Sequence, residues 1–82
     1  METELFDLVV NEVAATMDVP ANSLRLDVSL AEIGMDSLQA LQLLVALEQA
    51  TQVQLDEQDL KKFTTVQSIA DLLKERRKPV AA

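Results

Sequence analysis

Eighty-two residues without a cysteine or a histidine exclude disulfides, thiolate nucleophiles, zinc sites built on those ligands and any Ser-His catalytic pair. A formal net charge of −7 argues against a nucleic-acid partner. One glycine, two prolines and 2% aromatic residues argue against an all-β chain, which needs many turns, and leave a single small all-α domain with an aliphatic core.

Residues 4–17 read as the first helix. Leu5, Leu8, Val9, Val13 and Met17 recur at three- and four-residue spacing, the mark of one buried stripe, and Phe6 and Val10 widen that face. Thr3 is placed to cap it, and Glu2 and Glu4 suit the positive end of the helix dipole. Asp18-Val19-Pro20 ends it, because the residue before a proline is pushed out of the α region. Residues 18–36 then form a long connection. Leu24, Leu26, Val28, Leu30 and Ile33 are spaced through it and are expected to pin it across the bundle. Leu24, Leu26 and Val28 also alternate as a strand would, but no partner strand appears elsewhere. Ser29-Leu30-Ala31-Glu32 has the form of a capping box, enough for one short turn before Gly34.

The second helix, residues 37–51, has the most informative start. Gly34, the only glycine, stands where the incoming loop must turn. Asp36 is placed as N-cap with Gln39 three residues on, so Ser37 becomes the first helical residue, with its hydroxyl at the helix tip facing water. A helix tip carries unpaired N–H groups and partial positive charge, so a phosphate ester there is favoured by roughly 0.3–1 kcal/mol. The competing reading makes Ser37 an ordinary polar residue of a first turn. Ala40, Leu43, Leu44, Leu47 and Ala50 form the inward stripe. Leu38, Leu41 and Val45 lie off that stripe, beside Gln39, Gln42, Glu48 and Gln49. A helix so apolar all round is either deeply buried or shows part of its surface to a partner. Catalysis by Ser37 lacks a base: Lys61, Lys62, Lys74 and Lys78 sit in polar settings, whereas a lysine base needs burial.

Thr51 to Leu55 is a break with one or two buried side chains. Asp56-Glu57-Gln58-Asp59 opens a short third helix ending near Lys62, its acids placed for a helix N-terminus rather than for a cation, since the calcium-loop spacing and turn glycine are missing. Phe63 belongs to the core. Thr64-Thr65-Val66-Gln67 is another capping-box start, followed by a stripe of Val66, Ile69, Ala70 and Leu73. Lys74, Arg76, Arg77 and Lys78 offset the dipole at the far end, and Pro79 closes the helix. The domain is expected to span residues 1–78, with 79–82 a flexible tail. No apolar run approaches the ~18 residues of a membrane span and no signal-peptide pattern opens the chain, so a cytoplasmic, membrane-free placement is expected.

Ile33-Gly34-Met35-Asp36-Ser37-Leu38, an aliphatic helix behind it and Phe63-Thr64-Thr65-Val66-Gln67 further on together resemble the acyl carrier protein family, from about Leu5 to Leu73. The resemblance implies a right-handed four-helix bundle, three main helices and one short, with Ser37 as the attachment point of 4′-phosphopantetheine. A separate phosphopantetheinyl transferase would move that group from coenzyme A to the Ser37 hydroxyl. The thiol at its end would hold acyl groups as thioesters for loading, condensing or acyltransferase enzymes, and the chain would be a carrier rather than an enzyme, with no metal of its own. A chain without cysteine has no thiol to compete for the acyl group. By the same resemblance Asp36 helps present Ser37 and sits near the transferase's metal ion.

One departure from the family pattern is instructive. Carriers of bacterial fatty-acid synthesis usually show a strongly acidic second helix, whereas here Glu48 is its only acid. Docking is therefore expected to use Leu38, Gln39, Leu41, Gln42, Val45 and Glu48, relying more on apolar contact than on charge. Gly34-Met35-Asp36-Ser37-Leu38 looks more like carriers of polyketide assembly lines than the Gly-Gly-Asp/His-Ser form of peptide synthetases. The expectation is a monomeric carrier for polyketide or other specialised acyl synthesis, either free-standing or part of a larger synthase. An aminoacyl or peptidyl carrier and a carrier-like interaction module that is never modified are the alternatives.

Overall fold

The computed structural model describes residues 2–77. Helix α1 covers Glu2–Met17, α2 covers Ser37–Thr51 and α3 covers Val66–Arg77. Two 3-10 segments complete the architecture: one turn at Ala21–Ser23 in the long connection, and a six-residue helix at Glu57–Lys62 between α2 and α3. There is no strand among the described residues, so the alternation of Leu24, Leu26 and Val28 is not a strand. Helix α1 lies against both α2 and α3, and the longer 3-10 segment touches α2 on one side and α3 on the other. This is the all-α bundle of three main helices and one short helix.

The apolar stripes meet in one core. Val9 and Val13 from α1, Leu43 and Leu47 from α2, and Val66, Ile69 and Leu73 from α3 are fully buried, with Leu30 from the long connection among them. Burying each such side chain is worth about 1.5–3 kcal/mol, which is what makes so short a chain fold. Ala14 and Leu72 are buried as well, beyond the stripes read from the sequence. Ala50, expected inward, is exposed. The inward edge of the last turn of α2 falls instead on Thr51, whose hydroxyl donates to the Leu47 carbonyl at 2.6 Å.

Helix α1 begins at Glu2, so Thr3 lies inside it and not before it, and its side chain is outside the described ones. The helix stops through Asp18, which adopts φ 58° and lets the Val19 N–H reach back to the Ala14 carbonyl at 3.1 Å. Pro20 follows a helix that has already ended. Lys78 and the 79–82 tail lie outside the described residues.

Four of the five apolar residues of the long connection behave as pins: Leu30 is fully buried, and Leu24, Val28 and Ile33 are packed against the core. Leu26 does not, remaining 42% exposed. Its backbone is what the fold uses. The Leu26 carbonyl accepts from the Gln67 N–H at 2.9 Å, and the Leu30 N–H donates to the Thr64 carbonyl at 2.9 Å. These two bonds tie the connection to the start of α3 and leave the Leu26 side chain outward, beside the exposed Arg25–Asp27 pair.

Candidate functional site

The connection reaches α2 through a tight turn. The Ile33 N–H donates to the Ser29 carbonyl at 3.3 Å, Gly34 to Ala31 at 3.1 Å, and Met35 to Leu30 at 3.0 Å. The last bond closes only because Gly34 adopts φ 103°, a region that a side chain disfavours. The Ser29 hydroxyl accepts from the Glu32 N–H at 3.4 Å, a loose version of the expected cap.

Asp36 then caps α2 as the sequence predicts. Its carboxylate accepts from the Gln39 N–H at 2.8 Å, and the Gln39 side-chain oxygen accepts from the Asp36 N–H at 3.3 Å. Both halves of the capping box are made. The cap takes up the Gln39 N–H, and the Asp36 carbonyl accepts from the Ala40 N–H at 2.9 Å. The N–H groups of Ser37 and Leu38, one turn too early for an intrahelical acceptor, are left pointing out of the helix end.

Ser37 is the first residue of α2 and is exposed. The chain has four serines. Ser23 donates to the Pro20 carbonyl, Ser29 accepts from Glu32, and Ser68 is bonded to both Thr64 and Thr65. Ser37 alone among them has a hydroxyl with no internal hydrogen bond. A group attached to its oxygen therefore displaces nothing in the fold, and an anionic group would face the free N–H groups of the first turn. Beside Ser37 lies an open cleft of about 220 Å³, floored by Met35, Ala40, Leu60 and Phe63 and edged by Ala31 and Asp36. A phosphoester with an extended chain fits these surroundings: a free oxygen, a field of the right sign and room alongside.

Around α2 the remaining candidates separate into two groups. Leu38, Leu41 and Val45 are exposed, with Gln42 between them, on the face opposite the buried Leu43 and Leu47. Gln39 and Glu48 are engaged internally: Gln39 completes the cap, and the Glu48 carboxylate accepts from the Leu55 N–H at 2.9 Å, holding the break after α2. The structure thus gathers Leu38, Leu41, Gln42 and Val45 into one surface and gives Gln39 and Glu48 internal work.

No group of three or more carboxylates poised for a metal occurs among the described residues. Asp56 caps the 3-10 helix through the Gln58 N–H at 3.0 Å. Asp59 is the one charged residue buried among the described residues, only 3% exposed, and nothing in its local pattern foretells that burial. One of its oxygens accepts from the Asp56 N–H at 2.9 Å, and the other is held by the Arg76 guanidinium at 2.6 Å. Arg76 therefore has a specific partner, beyond the general offset of the α3 dipole. Lys61 and Lys62 are exposed, and Lys74 is partly covered, 3.9 Å from Asp71 and over the Phe6 ring. None of the described lysines has the buried setting that a general base beside Ser37 would need.

Comparison with known proteins bears on the same residues. A family model described as a phosphopantetheine attachment site matches residues 7–73, a span that holds Ser37, the cleft and all of the buried apolar core except Leu5. The chain is also 32% identical, over 77 residues, to acyl carrier protein 4, chloroplastic, of Arabidopsis thaliana, a match covering 92% of this chain and 54% of that protein. The chain thus spans about half the length of this curated relative.

Proposed function

This chain belongs to the family of phosphopantetheine attachment-site carriers, and on that premise we propose that Ser37 is its attachment residue. The supporting observation is the Ser37 hydroxyl, exposed at the tip of α2 and the one serine hydroxyl free of internal hydrogen bonds. When bound, 4′-phosphopantetheine supplies a terminal thiol that holds an acyl group as a thioester. The chain's own residues do the rest. The Ser37 oxygen forms the phosphoester bond as the phosphoanhydride bond of coenzyme A breaks and adenosine 3′,5′-bisphosphate leaves. The hydroxyl proton passes to a base on the transferase, since this chain has no histidine and no buried lysine among its described residues. Asp36 holds the helix start in place through the Gln39 N–H, so the hydroxyl is presented without rearrangement. The free N–H groups of Ser37 and Leu38 favour the phosphate once it is attached.

Leu38, Leu41, Gln42 and Val45 form the docking surface for the transferase and for loading, condensing or acyltransferase enzymes. This face has no charged residue, so docking rests on apolar burial more than on steering. That composition, with the Gly34-Met35-Asp36-Ser37-Leu38 string, supports a carrier of polyketide or other specialised acyl synthesis over one of housekeeping fatty-acid synthesis. Its proposed compartment is the cytoplasm; no helix among the described residues is long and apolar enough to cross a membrane.

The direct test is intact mass after incubation with a broad-specificity phosphopantetheinyl transferase, coenzyme A and magnesium. The wild-type chain is expected to gain one phosphopantetheinyl group and Ser37→Ala none. A gain in both proteins would move the site elsewhere. No gain in either, with the transferase active on another carrier, would favour the unmodified interaction module. Loading the modified chain with acyl-coenzyme A donors or with adenylated amino acids then separates an acyl carrier from an aminoacyl one.

A further inference from the structure

We infer that the Asp59–Arg76 ion pair is a latch that sets the wall of the cleft beside Ser37, making Arg76, near the end of α3, a positioning residue for events at the start of α2. The inference rests on the attachment reading of Ser37 for its functional part and on geometry alone for its structural part. The wall is formed by Leu60 and Phe63, which belong to or immediately follow the 3-10 helix Glu57–Lys62. A 3-10 helix of this length has weak hydrogen-bond geometry and does not hold itself in place. Phe63 and Leu55 anchor its two ends in the core, but Leu60, in the middle, is only half-buried.

Between those anchors the strongest restraint is Asp59, the neighbour of Leu60. Its carboxylate is 3% exposed and doubly held, by the segment's own first N–H at Asp56 and by Arg76 seventeen residues away. A carboxylate so buried is tolerated only while paired. Without Arg76, the Asp59 side chain must regain water, and the simplest way is for the segment to swing off α3. Leu60 moves with it while Phe63 stays anchored, and the cleft next to Ser37 loses the Leu60 part of its wall. Any enzyme that reaches the Ser37 hydroxyl from solvent meets that wall, and a surface that must be ordered on binding costs affinity.

The test uses Arg76→Gln and, in case that variant does not fold, the neutral pair Asp59→Asn/Arg76→Gln, with Arg76→Lys as the conservative rescue. Two readings are taken under conditions where each protein is folded by circular dichroism. In the unmodified chain, amide exchange at Asp59 and Phe63 is expected to speed up about tenfold or more, while Val9, Val13, Leu43 and Leu47 keep wild-type protection. In the transferase reaction, KM for the carrier is expected to rise about threefold or more with kcat unchanged, and Arg76→Lys is expected to recover part of the loss. Exchange that rises evenly through α1, α2 and the 3-10 segment makes the pair an ordinary stabilising contact and overturns the latch. Local exchange with an unchanged KM overturns its link to Ser37. If the wild-type chain takes no phosphopantetheine, the attachment reading fails by itself, and the exchange pattern alone decides the latch.

Discussion

Helices α2 and α3 start in the same way and end up with opposite surfaces. Each begins after a loop, at a side-chain cap that takes the N–H three residues on: Asp36 from Gln39, Thr65 from Ser68. At α3 every hydroxyl is used. Ser68 is bonded to Thr65 and to Thr64, the first helical residue Val66 is fully buried, and the next N–H, of Gln67, is taken by the Leu26 carbonyl. At α2 the cap comes from a carboxylate one residue ahead, so the first hydroxyl has nothing to do, and Leu38 behind it is 63% exposed. A capped helix start is therefore not a site in itself. It becomes one where the cap leaves the following side chain free and the fold leaves that end uncovered.

The largest expected effect lies in exchanging that free hydroxyl. Ser37→Ala should abolish phosphopantetheinylation completely while changing stability by less than about 0.5 kcal/mol, as for a surface change away from any contact. Ser68→Ala should do the reverse, modifying at the wild-type rate but melting lower. Intact mass and denaturant unfolding read both. A Ser68→Ala protein that lost modification would erase the distinction between the two starts.

Beneath both starts is a common core, and it supplies the next largest effect. Leu47→Ala and Ile69→Ala each remove a fully buried side chain and should cost about 2–5 kcal/mol, measured by urea unfolding. Similar losses from α2 and α3 would show that the two helices differ at their tips and not in their packing. A loss below about 1 kcal/mol at either position would mean that its inward face is misassigned.

The caps themselves come third. Asp36→Ala and Thr65→Ala should each lower stability by about 0.5–2 kcal/mol. Their consequences for chemistry should part company. Loss of Asp36 frees the helix start that presents Ser37 and should slow modification, whereas loss of Thr65 should leave the modification rate near wild type. Equal slowing would mean that Asp36 acts only through overall stability.

Much of this contrast is legible in the residues. Asp36-Ser37-Leu38-Gln39 announces a capping box with a serine just inside it, and the apolar spacing of α1, α2 and α3 marks their inward faces. The start of α3 is read one residue early, because Thr64 and Thr65 are both eligible caps and local sequence does not choose between them. The choice is made by the Leu26 carbonyl and by Ser68, partners that only the tertiary fold or the next turn supplies. Leu26 is misread for a related reason: period and hydrophobicity describe its side chain, while the fold uses its backbone. The burial of Asp59 leaves no local signal, since an acid in the first turn of a helix is ordinary and its partner Arg76 lies seventeen residues on. The Gln39 and Glu48 side chains look like surface polar groups in sequence and turn out to serve neighbouring backbone N–H groups.

The smallest expected effect concerns charge around the α2 face. The surface beside Ser37 presents Leu38, Leu41, Gln42 and Val45, none of them charged, although the chain carries a net charge of −7. If docking depended on that overall charge, transferase KM would climb steeply as salt screened it, because the Debye length falls from roughly 10 Å at 0.1 M to 3 Å at 1 M. If it depends on apolar burial, KM should change less than about threefold over the same range. Leu38→Ala should then weaken docking at every salt concentration alike, since the area it removes does not respond to screening. A steep salt slope in the wild type, unaltered in Leu38→Ala, would instead assign docking to the carboxylates outside this face. Asp36 would be the first to substitute with asparagine, which can keep the cap while removing the charge.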